Sequence, residues 1–166
     1  MTKPGRAWVL GDDIDTDVLA PGKYMQGGLS ELAAHCLETV RPEFASNARP
    51  GDILIAGKNF GIGSSREQAA EALRHLGIVA VLACSFGGIF YRNALNLGLP
   101  VFRSDDLSEI ADGEKVMMDI DASSLTRISN GEKIDLEPLP DFLLHMLHDG
   151  GLVPHLEKKF KRATPE

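Results

Sequence analysis

Short apolar runs separated by polar segments dominate the middle of the chain. Three of them, at 53–56, 78–83 and 100–102, are continuously apolar, which is typical of strands buried on both faces of a sheet. Between them, 67–76 and 89–97 have the spacing of amphipathic helices. This alternation predicts an α/β fold, in which two right-handed crossovers link the strands of a small parallel core.

The N-terminal part predicts one further strand and one further helix. Residues 7–10 form a short strand candidate, and 29–37 have a single apolar stripe at helical spacing. The glycine-containing segment 21–28 between them reads as a flexible connection. Residues 43–52 read as a loop, with Pro50-Gly51 as its turn signal.

The last third predicts a hairpin followed by a helix. Strand candidates occupy 115–120 and 124–128, and the Asn-Gly pair at 130–131 is a strong hairpin signal before a third strand at 134–136. A helix is predicted from Pro140 to about His148. Its side chains expected to face inward are Phe142, Leu143, Met146 and Leu147.

Length and charge indicate one ordinary globular domain spanning 1–166. Of the 166 residues, 43% are hydrophobic and 25% charged, and the net charge is −7. The short basic run at 158–162 reads as a solvated helix end, so nucleic acid is not an expected partner.

The cysteines and the apolar runs bear on compartment and cofactor. Cys36 and Cys84 are the two thiols, both in segments predicted to be buried, which suggests a reducing compartment. Two thiols are too few to hold an iron–sulfur cluster. No apolar run reaches membrane length, and the first residues lack a signal-peptide core, so we expect a cytoplasmic protein without a membrane partner.

Residues 57–68 contain the densest cluster of candidate functional groups. They read Gly-Lys-Asn-Phe-Gly-Ile-Gly-Ser-Ser-Arg-Glu-Gln, between a predicted strand and a predicted helix. The phosphate-binding pattern that ends in Gly-Lys-Ser/Thr is absent, because Lys58 precedes the loop. The dinucleotide pattern fails as well, because Arg66 stands where its third glycine is needed.

The same loop predicts a helix cap and an anion site. Ser64 or Ser65 is expected to cap the following helix, with Glu67 or Gln68 completing a capping box. The N–H groups of the first turn, together with the Arg66 guanidinium, would suit a carboxylate. Taken alone, the local pattern favours a purely structural cap.

Two groups of potential metal ligands do not make a convincing metal site. Residues 12–17 carry four carboxylates, but a calcium loop would need glycine at Val18 and glutamate at Tyr24. Asx-turns that bond local N–H groups are the structural alternative. His145 and His148 lie three apart on a predicted helix without a third ligand nearby. We therefore predict no metal bound by this chain.

Longer motifs give the loop a wider context. They include Gly-Ser-Ser-Arg-Glu-Gln-Ala-Ala at 63–70, Ala-Leu-Arg-His-Leu-Gly at 72–77, Ser-Phe at 85–86, Ile-Phe-Tyr-Arg-Asn at 89–93, Asn-Leu-Gly-Leu-Pro at 96–100 and Asp-Thr-Asp at 15–17. Over about residues 8–140 the chain resembles the swivelling domain of the aconitase superfamily. Its length and motif set most closely resemble the small-subunit family of 3-isopropylmalate dehydratases. The resemblance implies a swivelling β/β/α domain of the aconitase C-terminal type, in which a β-hairpin is added to the small parallel core.

The resemblance also implies a reaction and a partner. Such subunits belong to hydro-lyases that isomerise 2-isopropylmalate and 3-isopropylmalate by dehydration and rehydration, in leucine biosynthesis. A separate large subunit would carry a [4Fe-4S] cluster, and this chain would hold no cofactor and be inactive alone. Association of the isolated chain into a homo-oligomer stays open.

Site roles follow from the resemblance residue by residue. Ser64, the first serine of Gly-Ser-Ser-Arg, would be the catalytic base. Ser65 would donate a hydrogen bond to substrate or cap the helix, and Arg66 would bind a substrate carboxylate. Thr16 and Asp17 would face the substrate site.

Two departures from the family pattern affect the interpretation. Gly87-Gly88 stands where the family commonly has Ala-Arg, so one charge is missing. Relatives that process a substrate with an extra carboxylate tend to carry an arginine just after the Tyr-Leu pair. Here Tyr24-Met25 is followed by Gln26, and Lys23 is the nearby cation. The segment therefore favours an apolar substrate branch, with Lys23 and Gln26 as candidate substrate-binding residues.

Other functions remain open on the sequence. Related dehydratases acting on homoaconitate, citrate-like or methyl-substituted malates would share the same motifs. A non-catalytic carboxylate-binding module would share the fold, although the intact Ser64, Ser65 and Arg66 favour an enzyme subunit.

Overall fold

The strands of the protein form one mixed sheet. The computed structural model describes residues 2–163. In chain order the strands within that range are β1 (Gly5–Val9), β2 (Ile53–Ala56), β3 (Ala80–Ala83), β4 (Val101–Arg103), β5 (Lys115–Asp119), β6 (Ser124–Arg127) and β7 (Lys133–Asp135). Their order across the sheet is β4-β3-β2-β1-β5-β6-β7.

Helices connect and cover these strands. They are α1 (Thr16–Leu19), α2 (Leu29–Ala34), α3 (Phe44–Asn47), α4 (Gln68–His75), α5 (Gly88–Asn96), α6 (Asp141–His148) and α7 (Leu152–Ala163). A 3₁₀ helix, Gly22–Gly27, lies between α1 and α2. The predicted alternation of parallel strands with α4 and α5 is confirmed, since β2, β3 and β4 pair in parallel.

Strand β1 joins two halves of different character. It pairs in parallel with β2, where Trp8 lies opposite Leu54, and antiparallel with β5, where Gly5 lies opposite Val116. Every residue of β2 and β3 is buried, as expected for a parallel sheet covered on both faces. The predicted core is therefore extended by β1 to four parallel strands.

A buried carboxylate fixes β1 to the chain before β2. Asp52, 5% exposed, accepts hydrogen bonds from the Trp8 indole N–H at 2.9 Å, from the Arg6 N–H at 3.0 Å and from the Arg49 N–H at 2.9 Å. Because a buried carboxylate is costly unless it is hydrogen-bonded, these contacts define the Asp52 position. Phe44 packs edge-to-face on Trp8, with ring centroids 5.0 Å apart.

Three N-terminal expectations need correction. The predicted loop 43–52 contains α3, whose Phe44 is fully buried. The predicted flexible connection 21–28 is a 3₁₀ helix. The predicted helix 29–37 ends at Ala34, because the chain turns at Leu37, with φ +61°, and the Leu37 N–H donates to the Val18 carbonyl at 3.0 Å.

The C-terminal hairpin is confirmed, whereas the predicted inward face of α6 is partly wrong. Leu125 lies opposite Ile134, and Gly131 in the connecting turn has φ +73°. Met146 and Leu147 are buried, but Phe142 is 68% exposed, because it lies on the side of α6 turned away from the core. The predicted solvated basic end is the exposed last turn of α7.

Cys84 is half-buried, whereas the sequence predicted burial; Cys36 is fully buried as predicted. Within residues 2–163, no helix combines the length and apolarity needed to cross a membrane.

Candidate functional site

The loops that follow β1, β2 and β3 meet at the carboxyl edge of the parallel strands. Isolated parallel bridges join Asp15 to Ile62 and Phe60 to Phe86. The carboxyl ends of parallel strands lie at one edge of a sheet, which is where α/β proteins commonly bind ligands. The Ser-Ser-Arg loop is therefore held between the two neighbouring loops.

Glycine is required where the loop after β2 passes over a phenyl ring. Gly61 has φ +78°, and a Cβ atom placed there would lie 2.2 Å from Cγ of Phe90. Gly63 has φ +112°, and its Cβ would lie 3.0 Å from Oγ1 of Thr16. A side chain at either position would be strained, so these glycines set the path of the loop.

Thr16 forms hydrogen bonds with Ser64. The Ser64 N–H donates to Thr16 Oγ1 at 3.0 Å, and the two hydroxyl oxygens lie 3.2 Å apart. Thr16 is 1% exposed, whereas Ser64 is exposed. Thr16 itself is fixed because its N–H donates to the Ile62 carbonyl at 2.9 Å. The buried Thr16 hydroxyl thus fixes the Ser64 hydroxyl in a position that is exposed to solvent.

The Asp-Thr-Asp segment is folded by its own first carboxylate. Asp15 caps α1, and its side chain accepts from the Val18 N–H at 2.9 Å. This cap buries Thr16 at the start of the helix and leaves Asp17 exposed beside it. The Asx-type bonding proposed as a structural alternative is therefore present at Asp15, and Thr16 lies within hydrogen-bonding distance of Ser64.

Arg66 is restrained on two sides. Its guanidinium donates to the Ala20 carbonyl at 3.0 Å and forms an ion pair with Asp17. The Arg66 side chain is 28% exposed and that of Asp17 is 69% exposed. Since arginine has five N–H donors in a fixed plane, these two contacts orient the fork and leave donors for an external carboxylate. Asp17 therefore helps to orient the Arg66 guanidinium through this ion pair.

The predicted cap of α4 is wrong. The helix begins at Gln68 with Glu67 as its N-cap, and among the described residues no side chain bonds to that end. Ser64 binds Thr16 instead, and the Ser65 carbonyl accepts from Asn93 Nδ2 at 3.4 Å. The loop continues through Ser65, Arg66 and Glu67 before the helix starts, and Ser64 bonds to Thr16 rather than to the end of the helix.

The 3₁₀ helix lies next to Arg66. A Cβ atom at Gly22 would lie 3.7 Å from an Arg66 guanidinium nitrogen. Tyr24 stacks on His35 with ring centroids 3.5 Å apart, and the Lys23 Nζ lies 4.9 Å from the Tyr24 ring centroid. Lys23 and Gln26 are exposed. In the described part of the chain, no hydrogen bond or ion pair joins either of them to Ser64 or Arg66.

Sequence reasoning missed a set of residues that tie the three loops together. Asp12 accepts from the Lys58 N–H at 2.7 Å, and Asp13 accepts from Asn59 Nδ2 at 2.8 Å. Ser85 Oγ accepts from the Asn59 N–H at 2.8 Å, and Asn59 has φ +59°. The run of carboxylates at 12–17 was the sequence feature that could have indicated these contacts. Two of these acids accept hydrogen bonds from backbone and amide groups of the loop after β2.

The residues present do not fit an iron–sulfur cluster. Within residues 2–163, no group of three or more His, Cys, Asp or Glu side chains is arranged to hold a metal ion. Burial raises the pKa of the Cys36 thiol, so this cysteine stays protonated in the core. A thiol in that state is not a metal ligand.

Comparison with known proteins identifies close relatives. The Aconitase C-terminal domain family matches residues 32–104. The chain is 48% identical to the homoaconitase small subunit of Methanothermobacter thermautotrophicus, over 93% of this chain and 90% of that protein. It is 46% identical to 3-isopropylmalate dehydratase small subunit 2 of Archaeoglobus fulgidus, over 95% and 96% of the two chains.

A solved structure agrees with the sequence relatives. The crystal structure of 3-isopropylmalate dehydratase from Methanocaldococcus jannaschii superposes with a TM-score of 0.92 at 40% identity, and 98% of each chain is covered. The predicted α/β fold of the aconitase C-terminal type is confirmed by this likeness.

Proposed function

Because the chain belongs to the aconitase family, in the group of 3-isopropylmalate dehydratase-type small subunits, we propose that it supplies the proton-transferring half of a hydro-lyase. The reaction is the isomerisation of 2-isopropylmalate and 3-isopropylmalate by dehydration and rehydration, a step of leucine biosynthesis. Ser64 is the base in this proposal. The two free thiols, Cys36 and Cys84, support a reducing, cytoplasmic location.

The observation that carries the proposal is the arrangement of Thr16, Ser64 and Arg66. The exposed Ser64 hydroxyl lies 3.2 Å from the buried Thr16 hydroxyl, which fixes its position. The oriented guanidinium of Arg66 follows Ser64 by two residues in the chain. A structural cap would not need this arrangement, since Ser64 does not cap α4. A carboxylate bound by Arg66 would bring its adjacent C–H bond to the same edge of the sheet as Ser64.

Proton transfer by these residues can be described atom by atom. Ser64 Oγ takes the proton from the carbon next to the substrate carboxylate, while the hydroxyl on the neighbouring carbon departs. A hydroxyl bond from Thr16 and the positive charge of Arg66 both favour the deprotonated serine. On rehydration, Ser64 returns its proton to the carbon that lost the hydroxyl, and hydroxide adds to the carbon that lost the proton, which gives the isomeric hydroxy-acid.

A partner must complete the site. Ser64 and Ser65 are exposed, and residues 2–163 contain no group of side chains arranged to hold a metal ion that could act as a Lewis acid on the departing hydroxide. We place a [4Fe-4S] cluster, which would supply that chemistry, on a large subunit that closes over the loops. Exclusion of water on closure would strengthen the contact between Arg66 and the substrate carboxylate.

The substrate branch is assigned from the 3₁₀ helix. It brings Gly22 next to Arg66, and its side chains include Lys23 and Gln26 but no arginine. A second carboxylate on the branch would therefore lack a bidentate partner, and burying it unpaired is costly. An isopropyl branch carries no such cost. Homoaconitate is the second candidate, favoured by the 48% identity to a homoaconitase small subunit.

Reconstitution tests the proposal. The chain is assayed alone and after mixing with a cluster-bearing large subunit, and the unsaturated intermediate is followed by its ultraviolet absorbance. We expect turnover only in the mixture, with a higher kcat/KM for isopropylmalate than for homoaconitate. Turnover by the metal-free chain alone, or substrate binding by the complex without turnover, would contradict the proposal. A preference for homoaconitate would reassign the substrate alone.

A further inference from the structure

A polar cleft lies between α6 and α7, away from the end of β2 that Ser64 follows. Helices α6 and α7 form a hairpin joined by Gly150 and Gly151, which have φ +94° and +123°. The Gly150 carbonyl oxygen would lie 2.5 Å from a Cβ atom placed on Gly98, just before β4 begins. The hairpin therefore packs where the parallel strands start, whereas Ser64 follows the end at which β2 stops.

The cleft between the two helices has a volume of about 390 Å³ and a basic lining. Helix α6 contributes His145 and His148, which lie three positions apart. The residues that α7 contributes are His155, Lys158, Lys159 and Arg162. Spacings of three and four place the α7 residues on one face of the helix. Six side chains that are cationic or can become so thus face one cavity, in a chain whose net charge is −7.

Part of this lining is already paired, and the pairing fixes its shape. Asp149 accepts from Lys158 Nζ at 2.6 Å and contacts His155 Nδ1 at 2.7 Å. These hydrogen bonds, with Lys158 the stronger, lower the pKa of Asp149, so the carboxylate is charged at neutral pH. Its side chain is 13% exposed. His148 bonds to Asp121 at 2.5 Å. These three contacts with carboxylates therefore restrain one side chain of α6 and two of α7.

These contacts leave three side chains of the lining unpaired. Among residues 2–163, no hydrogen bond or ion pair joins Lys159, Arg162 or the His145 imidazole to an acceptor. The cleft thus contains two uncompensated positive charges beside a preorganised wall. Arginine presents a planar fork that matches phosphate and carboxylate oxygens, and lysine adds a point charge. A cavity of this volume is within the range of small-molecule sites.

We propose that the cleft between α6 and α7 binds a small multivalent oxyanion, of the phosphate-ester or polycarboxylate class. Lys159 and Arg162 are the principal ligands, and His145 lies on the opposite wall. The site is separate from the Ser-Ser-Arg loop, since the two lie at opposite ends of the parallel strands. Neither the resemblance to dehydratases nor the role of Ser64 enters this proposal.

The test uses the full chain with pyrophosphate and citrate as probes. Binding is measured by calorimetry at low ionic strength and located by amide and imidazole chemical shifts. We expect saturable binding with shifts centred on His145, His155 and Lys159, and weaker binding at high salt. Tighter binding of pyrophosphate would identify phosphate chemistry as preferred, and tighter binding of citrate would identify carboxylate chemistry.

Lys159→Gln and Lys161→Gln form the matched pair. Both remove one positive charge from α7, but only Lys159 lines the cleft. Lys159→Gln should weaken binding about fivefold, as expected for a partly exposed ionic contact, and Lys161→Gln less than twofold. Equal weakening by the two variants would overturn the proposal, as would shifts confined to the loops around Ser64. Circular dichroism of each variant checks that α7 is still folded.

Discussion

The hydroxyl oxygens of Thr16 and Ser64 lie 3.2 Å apart, although the two residues are 48 positions apart in the chain. The Ser64 N–H donates to the same threonine oxygen at 3.0 Å. One buried side chain therefore fixes both the backbone and the hydroxyl of an exposed serine. The geometry of the candidate base is set by the loop after β1 as much as by its own loop.

Removing the Ser64 hydroxyl should abolish most of the turnover of the reconstituted enzyme. Ser64→Ala is expected to lower kcat by about 10²–10⁴-fold, the usual contribution of a positioned general base, with little change in subunit assembly. Steady-state kinetics and gel filtration measure the two effects. Ser108→Ala, an exposed serine on another part of the surface, is the control. Near-normal kcat in Ser64→Ala would mean that another group takes the proton.

Thr16 is expected to act as a positioning residue. Thr16→Val keeps the buried volume but leaves the Ser64 N–H without its acceptor, which should cost about 1–3 kcal/mol of unfolding free energy. It should also lower kcat more than it changes KM, because Ser64 loses its orientation. Thr16→Ser restores the hydroxyl and should recover most of kcat. If Thr16→Ser were as impaired as Thr16→Val, the threonine methyl group would be needed as much as the hydroxyl, and the role of Thr16 would not be that of the hydroxyl alone.

Arg66→Lys should mainly raise KM. The guanidinium already bonds the Ala20 carbonyl and Asp17, and a lysine ammonium cannot keep these contacts and also bind a carboxylate bidentately. We expect an increase in KM of at least tenfold, because a charge-assisted hydrogen bond contributes about 1.5–3 kcal/mol. Arg92→Lys, at an exposed arginine on α5, is the matched control and should leave KM unchanged. A pure kcat effect at Arg66 would place it in proton transfer instead.

Gln26→Arg should change substrate preference. It places a guanidinium on the 3₁₀ helix beside Arg66, where it could pair with a carboxylate on the substrate branch. The ratio of kcat/KM for homoaconitate to that for isopropylmalate is expected to rise about ten- to a hundredfold. Ser30→Arg adds the same charge at an exposed position on α2 and serves as the control. If neither variant moves the ratio, the 3₁₀ helix does not select the substrate.

Gly87 and Gly88 should respond differently to the same substitution. A Cβ atom at Gly87 would lie 2.7 Å from the Gly61 carbonyl oxygen, so Gly87→Ala must displace backbone and should cost about 1–3 kcal/mol. At Gly88 no atom lies within 4 Å, and Gly88→Ala should be neutral or stabilising by up to about 1 kcal/mol. Urea unfolding of both variants measures the difference. Equal stabilities would show that the loop after β2 can move away at little cost.

Strands were easier to predict from the sequence than the short helices. The continuously apolar runs at 53–56 and 78–83 have one reasonable interpretation, because a parallel strand is buried on both faces. The Asn-Gly pair at 130–131 likewise selects a tight hairpin turn. Helix α3 has only four residues, and it exists because Phe44 packs on Trp8, a tertiary contact that no local pattern contains.

The sequence offered candidate residues for the site but not the connections between them. The Gly-Ser-Ser-Arg motif identified Ser64 and Arg66 as candidates, and the structure places both next to the Asp-Thr-Asp segment. The capping box failed because Ser64 found a tertiary partner in Thr16, which competed with local capping. The bonds from Asp12 and Asp13 to the next loop depend on the neighbouring positions of β1 and β2, which spacing along the chain does not reveal.

Because β1 lies in the middle of the sheet, the order of synthesis determines when its two neighbouring strands become available for pairing. The strand is synthesised before both of its neighbours, since its parallel neighbour β2 begins at Ile53 and its antiparallel neighbour β5 at Lys115. Until Lys115–Asp119 has emerged, one side of the nascent N-terminal strand has unpaired backbone groups. Late closure by distant segments makes folding slow and leaves the growing chain open to misassociation. Only after translation has passed β5 can the N-terminal strand complete the hydrogen-bond ladders on both of its sides.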